Sequence, residues 1–383
     1  MLRSFFFAGF EGTTTWNVHR AWVDQVVATQ HDVHADEDYA HLRQVGMQAT
    51  REAVRWPLVD RGAGYDFSTI EPFLAASRKH DVDVIWDLFH YGYPVDLDPF
   101  ADTFVERFAA YCHAAATFIQ ARSDGPWFFT PVNEPSFLAW AGGHAGKFAP
   151  HCRHRAPELK LALARAAIAG IDAIWTVIPS ARMVNADPLC HVVAPATHGD
   201  RPMDADDFND RVVYESWDML CGRLHPELGG SRAHLDIVGI NYYWTNQWEI
   251  GHENQPLALD DPRRVPLAEL MRQVWRRYGG DFMITETSHV NEARAGWLRD
   301  VAQECETILE EGLPLHGVCI FPVLGMPEWH ARKDWARMGL WDLVSEHGRL
   351  RRQPYLPMMH ALRDAQRLEA CYREARVRER ALL

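Results

Sequence analysis

The sequence predicts an α/β chain folded as a single (β/α)₈ TIM barrel, and three observations carry that expectation. Apolar runs rich in β-branched and aromatic residues alternate with helical patterns, the order that builds a parallel sheet with crossover helices. Eight such runs occur, which fills a barrel with none left over. Two of them end on a glutamate, at the strand ends where barrels mount their chemistry.

In chain order the predicted strands are 5–10, 49–55, 83–89, 127–132, 182–186, 236–242, 282–286 and 317–323. Helical patterns fall near 36–46, 68–80, 98–122, 158–179, 205–222, 265–279 and 293–312, with a last one from about 353. Ser68 with Glu71 three residues on reads as a capping box, and Pro157-Glu158 suits a first helical turn. The segments 136–157, 187–210, 244–264 and 324–352 are rich in Pro, Gly, His and Asp and each follows a strand. They are therefore expected as loops on the catalytic face. Residues 1–383 are expected to form one catalytic domain, with 363–383 a charged helical tail. No linker or internal repeat divides them.

Composition narrows the function. With 47 % hydrophobic residues the chain can fill a large core, and length alone does not demand two domains. A net charge of −13 (39 basic against 52 acidic residues) argues against a nucleic-acid partner, whose phosphates call for a basic surface. Seven cysteines without a CxxC pair fit free thiols in a reducing compartment better than a disulfide framework. The apolar start, Phe5-Phe6-Phe7-Ala8-Gly9-Phe10, breaks at Glu11, so it is read as a first strand and not a signal peptide. No run is long enough to span a membrane. A cytoplasmic location is expected.

The chemistry centres on Thr130-Pro131-Val132-Asn133-Glu134-Pro135 and Ile284-Thr285-Glu286-Thr287-Ser288. Two carboxylates facing each other across a barrel can cleave an acetal, one as proton donor and one as nucleophile. Asn133 is a neutral donor beside Glu134, and Pro135 fixes the turn that leaves the strand. A charge ending the apolar run before Glu286 is costly unless hydrogen-bonded or used. Arg55, after Ala53-Val54, repeats that pattern and is expected to keep a neighbouring carboxylate ionised. Of Tyr242 and Tyr243, one points inward because strand side chains alternate.

Asn133-Glu134-Pro135, Ile284-Thr285-Glu286, Leu88-Phe89-His90-Tyr91 and Asp236-Ile237-Val238-Gly239-Ile240-Asn241-Tyr242-Tyr243 resemble, in order and strand placement, motifs of the retaining β-glycosidases of glycoside hydrolase family 1, in clan A. The resemblance spans about residues 5–345. It implies Glu134 as acid/base and Glu286 as nucleophile, with Arg55 and Tyr243 holding Glu286 ionised and aimed. It implies sugar contacts for Asn133 (the 2-hydroxyl) and His90, and places Tyr91 and Asn241 in the same subsite. Glu328 and Trp329 follow the eighth strand where the family binds the far hydroxyls and lays a tryptophan under the ring. Departures bear on the substrate. The family glutamine after the first strand is missing, leaving Glu11 or Trp16 in that stretch. Tyr91 stands for a tryptophan, Phe321-Pro322 for Trp-Ser, and Thr287-Ser288 for Asn-Gly.

The implied substrate is a small-molecule or oligosaccharide β-glycoside, cleaved with no cofactor and no metal. The sequence leaves the sugar and the oligomeric state open. A transglycosylase would use the same covalent intermediate, and a catalytically silent carbohydrate-binding barrel would share the fold. Twenty histidines raise the question of a metal-dependent hydrolase, notably His31-Asp32-Val33-His34 and His151-Cys152-Arg153-His154, but these clusters lack paired acidic ligands. Sugar-phosphate isomerase chemistry is disfavoured, since only Gly325 fits a phosphate loop and Glu328 would repel the ligand.

Overall fold

The computed structural model describes residues 1–195, 202–253 and 255–382; the side chains of residues 202, 203 and 371 onward, Cys371 included, lie outside the description, as does part of the segment 187–210. Eight parallel strands close into a barrel: β1 Phe6–Gly9, β2 Ala49–Ala53, β3 Asp83–Asp87, β4 Phe128–Thr130, β5 Arg182–Pro188, β6 Ile237–Asn241, β7 Asp281–Thr287 and β8 Leu315–Ile320. Each pairs with its neighbours in chain order and β8 closes on β1 through Phe6↔Val318. All eight predicted strands are present, most ending earlier than expected.

Strand alternation divides the side chains into two sets. Phe7, Ala49, Ile85, Phe128, Val184, Ile237, Met283, Cys319 and Phe321 fill the barrel axis as their own cluster. Their alternates pack outward on the helices. Two residues beyond Ala49 and Ile85 in the same phase come Arg51 and Asp87, so these charges also point to the axis, nearer the catalytic face. Gly9 is required there, because a Cβ would lie 2.2 Å from the Phe321 ring.

The helices follow the predicted order: His31–Gln44, Glu71–His80, Asp102–Gln120, Ala156–Val177, Leu267–Tyr278, Arg294–Glu310 and Leu356–Leu382, with the 205–222 pattern broken into Pro202–Asp210 and shorter turns. Pro157 sits in the first turn of its helix as expected. Ser68 does not cap. Its N–H goes to Asp66 Oδ1 at 3.0 Å, and a 3₁₀ turn over Ser68–Ile70 precedes the helix. Asp66, two residues ahead, closes an Asx turn that takes the donor first.

The expected loops carry unpredicted structure. Helix Pro135–Gly143 starts directly at Glu134, and hairpins pair Thr14–Trp16 with Trp22–Asp24 and Trp341–Glu346 with Arg349–Pro354. No described helix is long and apolar enough to cross a membrane. His31 joins a buried knot with Asp38 (2.7 Å), Glu52 (3.1 Å) and, through Asp38, Arg352 (2.7 Å). This knot ties β2, helix His31–Gln44 and the last hairpin together.

Candidate active site

Glu134 follows β4 in the left-handed backbone region (φ 48°), which few non-glycine residues adopt. Its N–H is fixed by Ala186 O of β5 at 2.9 Å, and Pro135 starts the helix behind it. Tyr91, also left-handed (φ 69°), follows β3 and donates its phenol to Glu134 Oε2. Asn241, at the end of β6, donates its amide to Glu134 Oε1 at 2.8 Å. Both partners of this carboxylate are neutral.

Glu286 reaches the axis by a different route. A register shift between Ile284 and Glu286 against β6 marks a bulge in β7, so Thr285 and Glu286 both face inward despite adjacent positions. Thr285 donates to Asn241 Oδ1 at 2.6 Å. Arg51 Nη1 donates to Glu286 Oε1 at 2.6 Å, and the Tyr243 hydroxyl donates to Oε2 at 2.9 Å. Tyr243 is thus the inward tyrosine, while Tyr242 stacks outward on Trp297.

Asn133 joins the two halves. Its Oδ1 accepts from Arg51 at 2.7 Å and from Asn241 at 3.3 Å, and it is fully buried. Arg51 also binds Asp87 Oδ2 at 2.6 Å. Asp87 in turn holds His90 Nδ1 at 2.8 Å, leaving His90 Nε2 3.6 Å from Glu11. Glu11 accepts the Thr13 N–H at 2.8 Å. It is a buried acid near the stretch where a glutamine is missing.

One predicted contact is corrected. Arg55 does not touch Glu286; its guanidinium lies 3.2 Å from Asp24 in the first hairpin. The chain leaves β2 after Ala53, and the left-handed turn at Arg55 (φ 60°) sends its side chain outward. Arg51 takes the place beside Glu286. The available signal was its phase with Ala49, and Asp87, in phase with Ile85, was missed for the same reason. The remaining predicted residues lie nearer the rim. Trp16 is exposed against Trp22, Glu328 is exposed, and Trp329 packs on Tyr91 and Phe148. Phe321 is not absent from the site floor: its ring lies under Arg51 (5.4 Å) and along His90 (5.8 Å).

The charges divide the two acids. Burial first, then the charge of Glu286, push the Glu134 carboxyl up to about 8 against the hydrogen bonds from Tyr91 and Asn241. Burial also raises Glu286, contrary to the depression expected from an adjacent arginine. Arg51 and His90 oppose that rise, and Glu11 adds to it. Cations therefore face Glu286 while only neutral donors bond Glu134, so the first proton to leave the pair comes from Glu286. Burial works against charge on His90, but Asp87, Glu11 and Glu286 outweigh it and leave its pKa raised. Among the described residues no group of three His, Cys, Asp or Glu side chains is arranged to hold a metal ion.

Comparison with known proteins now bears on this site. No protein-family model matches the chain, and no curated protein matches it by sequence. Solved structures do. The β-glucosidase from Thermotoga maritima in complex with glucoimidazole superposes with a TM-score of 0.76 at 14 % identity, over 95 % of this chain and 98 % of that one. A further structure, described as a family 1 β-glucosidase from Thermotoga maritima, gives 0.73 at 15 % identity, over 94 % and 96 %. The AHE enzyme from Alicyclobacillus herbarius gives 0.77 at 17 %, over 96 % and 98 %. The chain shares their barrel fold. At these identities the likeness is one of fold, not of activity.

Proposed function

We propose that the chain is a retaining glycoside hydrolase that cleaves β-glycosidic bonds by double displacement. One observation carries this: two buried glutamates at the ends of β4 and β7 have opposite surroundings, one faced by an arginine and a phenol, the other held protonated to about 8. Glu286 is the nucleophile. Arg51 holds it ionised and Tyr243 aims its second oxygen. Glu134 is the acid that protonates the departing oxygen and then the base that activates water. Paired carboxyls whose environments push them apart in this way are how one site runs acid and nucleophile roles at one pH. The β-glucosidase descriptions of the fold relatives support the same substrate class.

The test is a panel of aryl β-glycosides of different sugars. Turnover by the native enzyme, lost in Glu286→Ala, and a first product with the β configuration by NMR are expected. Inversion of configuration, or near-native rates in Glu286→Ala, would overturn the assignment. Added alcohol acceptors in the same assay distinguish transfer to a sugar acceptor from hydrolysis.

A further inference from the structure

Besides Glu134, three carboxylates surround the site: Glu11, Asp87 and Glu286. Arg51 bonds Glu286 and Asp87, each at 2.6 Å, and His90 bonds Asp87 at 2.8 Å. Glu11 has no such bond. It lies two residues beyond β1 and is buried. Its Oε1 accepts the Thr13 N–H at 2.8 Å, while His90 Nε2, at 3.6 Å, stands too far for a hydrogen bond. Its Oε2 has no donor among the described residues. Unlike the sealed and unpartnered Asp87 Oδ1, that oxygen is not closed off from open space.

Three carboxylates against two cations leave one negative charge, even with His90 protonated and Glu134 neutral. Because Arg51 and His90 are bonded to the other two acids, the excess falls on Glu11. Its charge reaches into the middle of the site, raising the pKa of Glu286, His90, Tyr91 and Tyr243 together. These residues follow or close β3, β6 and β7. Double displacement brings the anomeric carbon against Glu286, so the sugar ring occupies the space they share. A buried carboxylate beside that ring calls for a cation, and the protein bonds none to it.

We propose that the sugar held against Glu286 carries an ammonium, so that the preferred substrates are β-glycosides of amino sugars, with Glu11 as the counter-ion. This substrate class deepens the hydrolase assignment and rests on it, since Glu286 defines where the sugar sits. An ammonium bonded to a carboxylate out of bulk water gains more than a hydroxyl at the same place, because charge-assisted bonds are stronger and the field is less screened. A neutral sugar leaves Glu11 without a cation, the kind of mismatch by which buried polar sites reject an analogue.

The test measures kcat/KM for 4-nitrophenyl β-glycosides in which the hydroxyl at C2, C3, C4 or C6 is replaced by an amine, in the gluco and galacto series. Each is compared with its parent and with its N-acetylated form, which keeps the nitrogen and loses the charge. At least one amine is expected to exceed its parent by about tenfold, the scale of one hydrogen bond to a charged group, with its N-acetyl form at the parent's rate or below. In Glu11→Gln that preference falls to one or less, the amine being slowed more than the parent. No amine above its parent in the native enzyme, or a preference that survives in Glu11→Gln, overturns the proposal. Binding of the free amino sugars against glucose and galactose, followed by tryptophan fluorescence, needs no turnover. A preference for an amine that depends on Glu11 supports the cation site, and its absence sinks that site. Failure of every glycoside to react would instead sink the hydrolase assignment, leaving the binding result to decide the part played by Glu11.

Discussion

Arg51 and Glu286 meet at 2.6 Å although 235 positions separate them in the chain. The contact replaces the one expected from Arg55. Exchanging Arg51 for methionine removes the positive charge that opposes the burial-driven rise of the Glu286 pKa and leaves buried Asp87 with His90 alone. A loss in kcat of about 10²–10³, the scale of one electrostatic stabiliser, is expected. Arg55→Lys, which keeps a cation beside Asp24, is expected to change kcat/KM less than threefold. Steady-state kinetics on one aryl glycoside compares the two; equal losses would place the functional arginine wrongly.

The pH profile of kcat/KM reads the pair directly. Under the proposed mechanism Glu134 must carry a proton to act as acid, so activity is expected to fall as pH rises through about 8. The hydrogen bond from Tyr91 favours the ionised form, so Tyr91→Phe shifts the basic limb to higher pH. Glu286 must be ionised, and Glu11 raises its pKa. Glu11→Gln therefore moves the acid limb to lower pH. Limbs that stay put in both variants would contradict these couplings.

Asp187, at the end of β5, is buried and pushed up to about 6 by burial, against hydrogen bonding from Ser136 and the charge of Lys160. Its Oδ1 accepts the Ser136 N–H at 3.0 Å, just behind Glu134, and its charge adds to the rise in the Glu134 pKa. Asp187→Asn keeps an acceptor for Ser136 and deletes the charge. The basic limb of the profile is expected at lower pH than in the native enzyme. An unmoved limb accompanied by lower stability would leave Asp187 with a purely structural part.

Stability should depend on pH through His31, whose pKa is raised to about 9: burial lowers it, but Glu52 and Asp38 more than compensate. A raised histidine contributes fully below its unfolded value of roughly 6.5, and the contribution is lost as pH rises through about 9. The urea midpoint is expected to fall between pH 7 and 9. Replacing His31 with glutamine removes the cation between Glu52 and Asp38, leaves Glu52 buried without a cation while Arg352 still holds Asp38, and costs on the order of 3–5 kcal/mol. A midpoint flat across that range would refute the linkage.

Much of the barrel was legible because buried parallel strands must be nearly all apolar, and helices between them keep their period. Glu134 and Glu286 stood out as charges closing such runs. Arg51 and Asp87 did not, because they sit inside strands where the eye expects core, and only the axis phase shared with Ala49 and Ile85 reveals them. Placing Glu286 inward required a bulge that no residue pattern in β7 announces. Helix Pro135–Gly143 was invisible for another reason: nine residues ending in Gly142-Gly143, started by a strained glutamate, carry neither cap nor period.

Both ends of the Asn241 amide are engaged. Thr285 donates to its oxygen, so its nitrogen is committed to Glu134, and Tyr91 offers a second donor to the other oxygen. When Glu134 is protonated, the Asn241 nitrogen on Oε1 can still only donate, so the hydrogen belongs on Oε2, beside the Tyr91 hydroxyl. Under the proposed mechanism, the oxygen from which an acetal receives its proton is thereby chosen before any substrate has arrived: Oε2, the one without the amide.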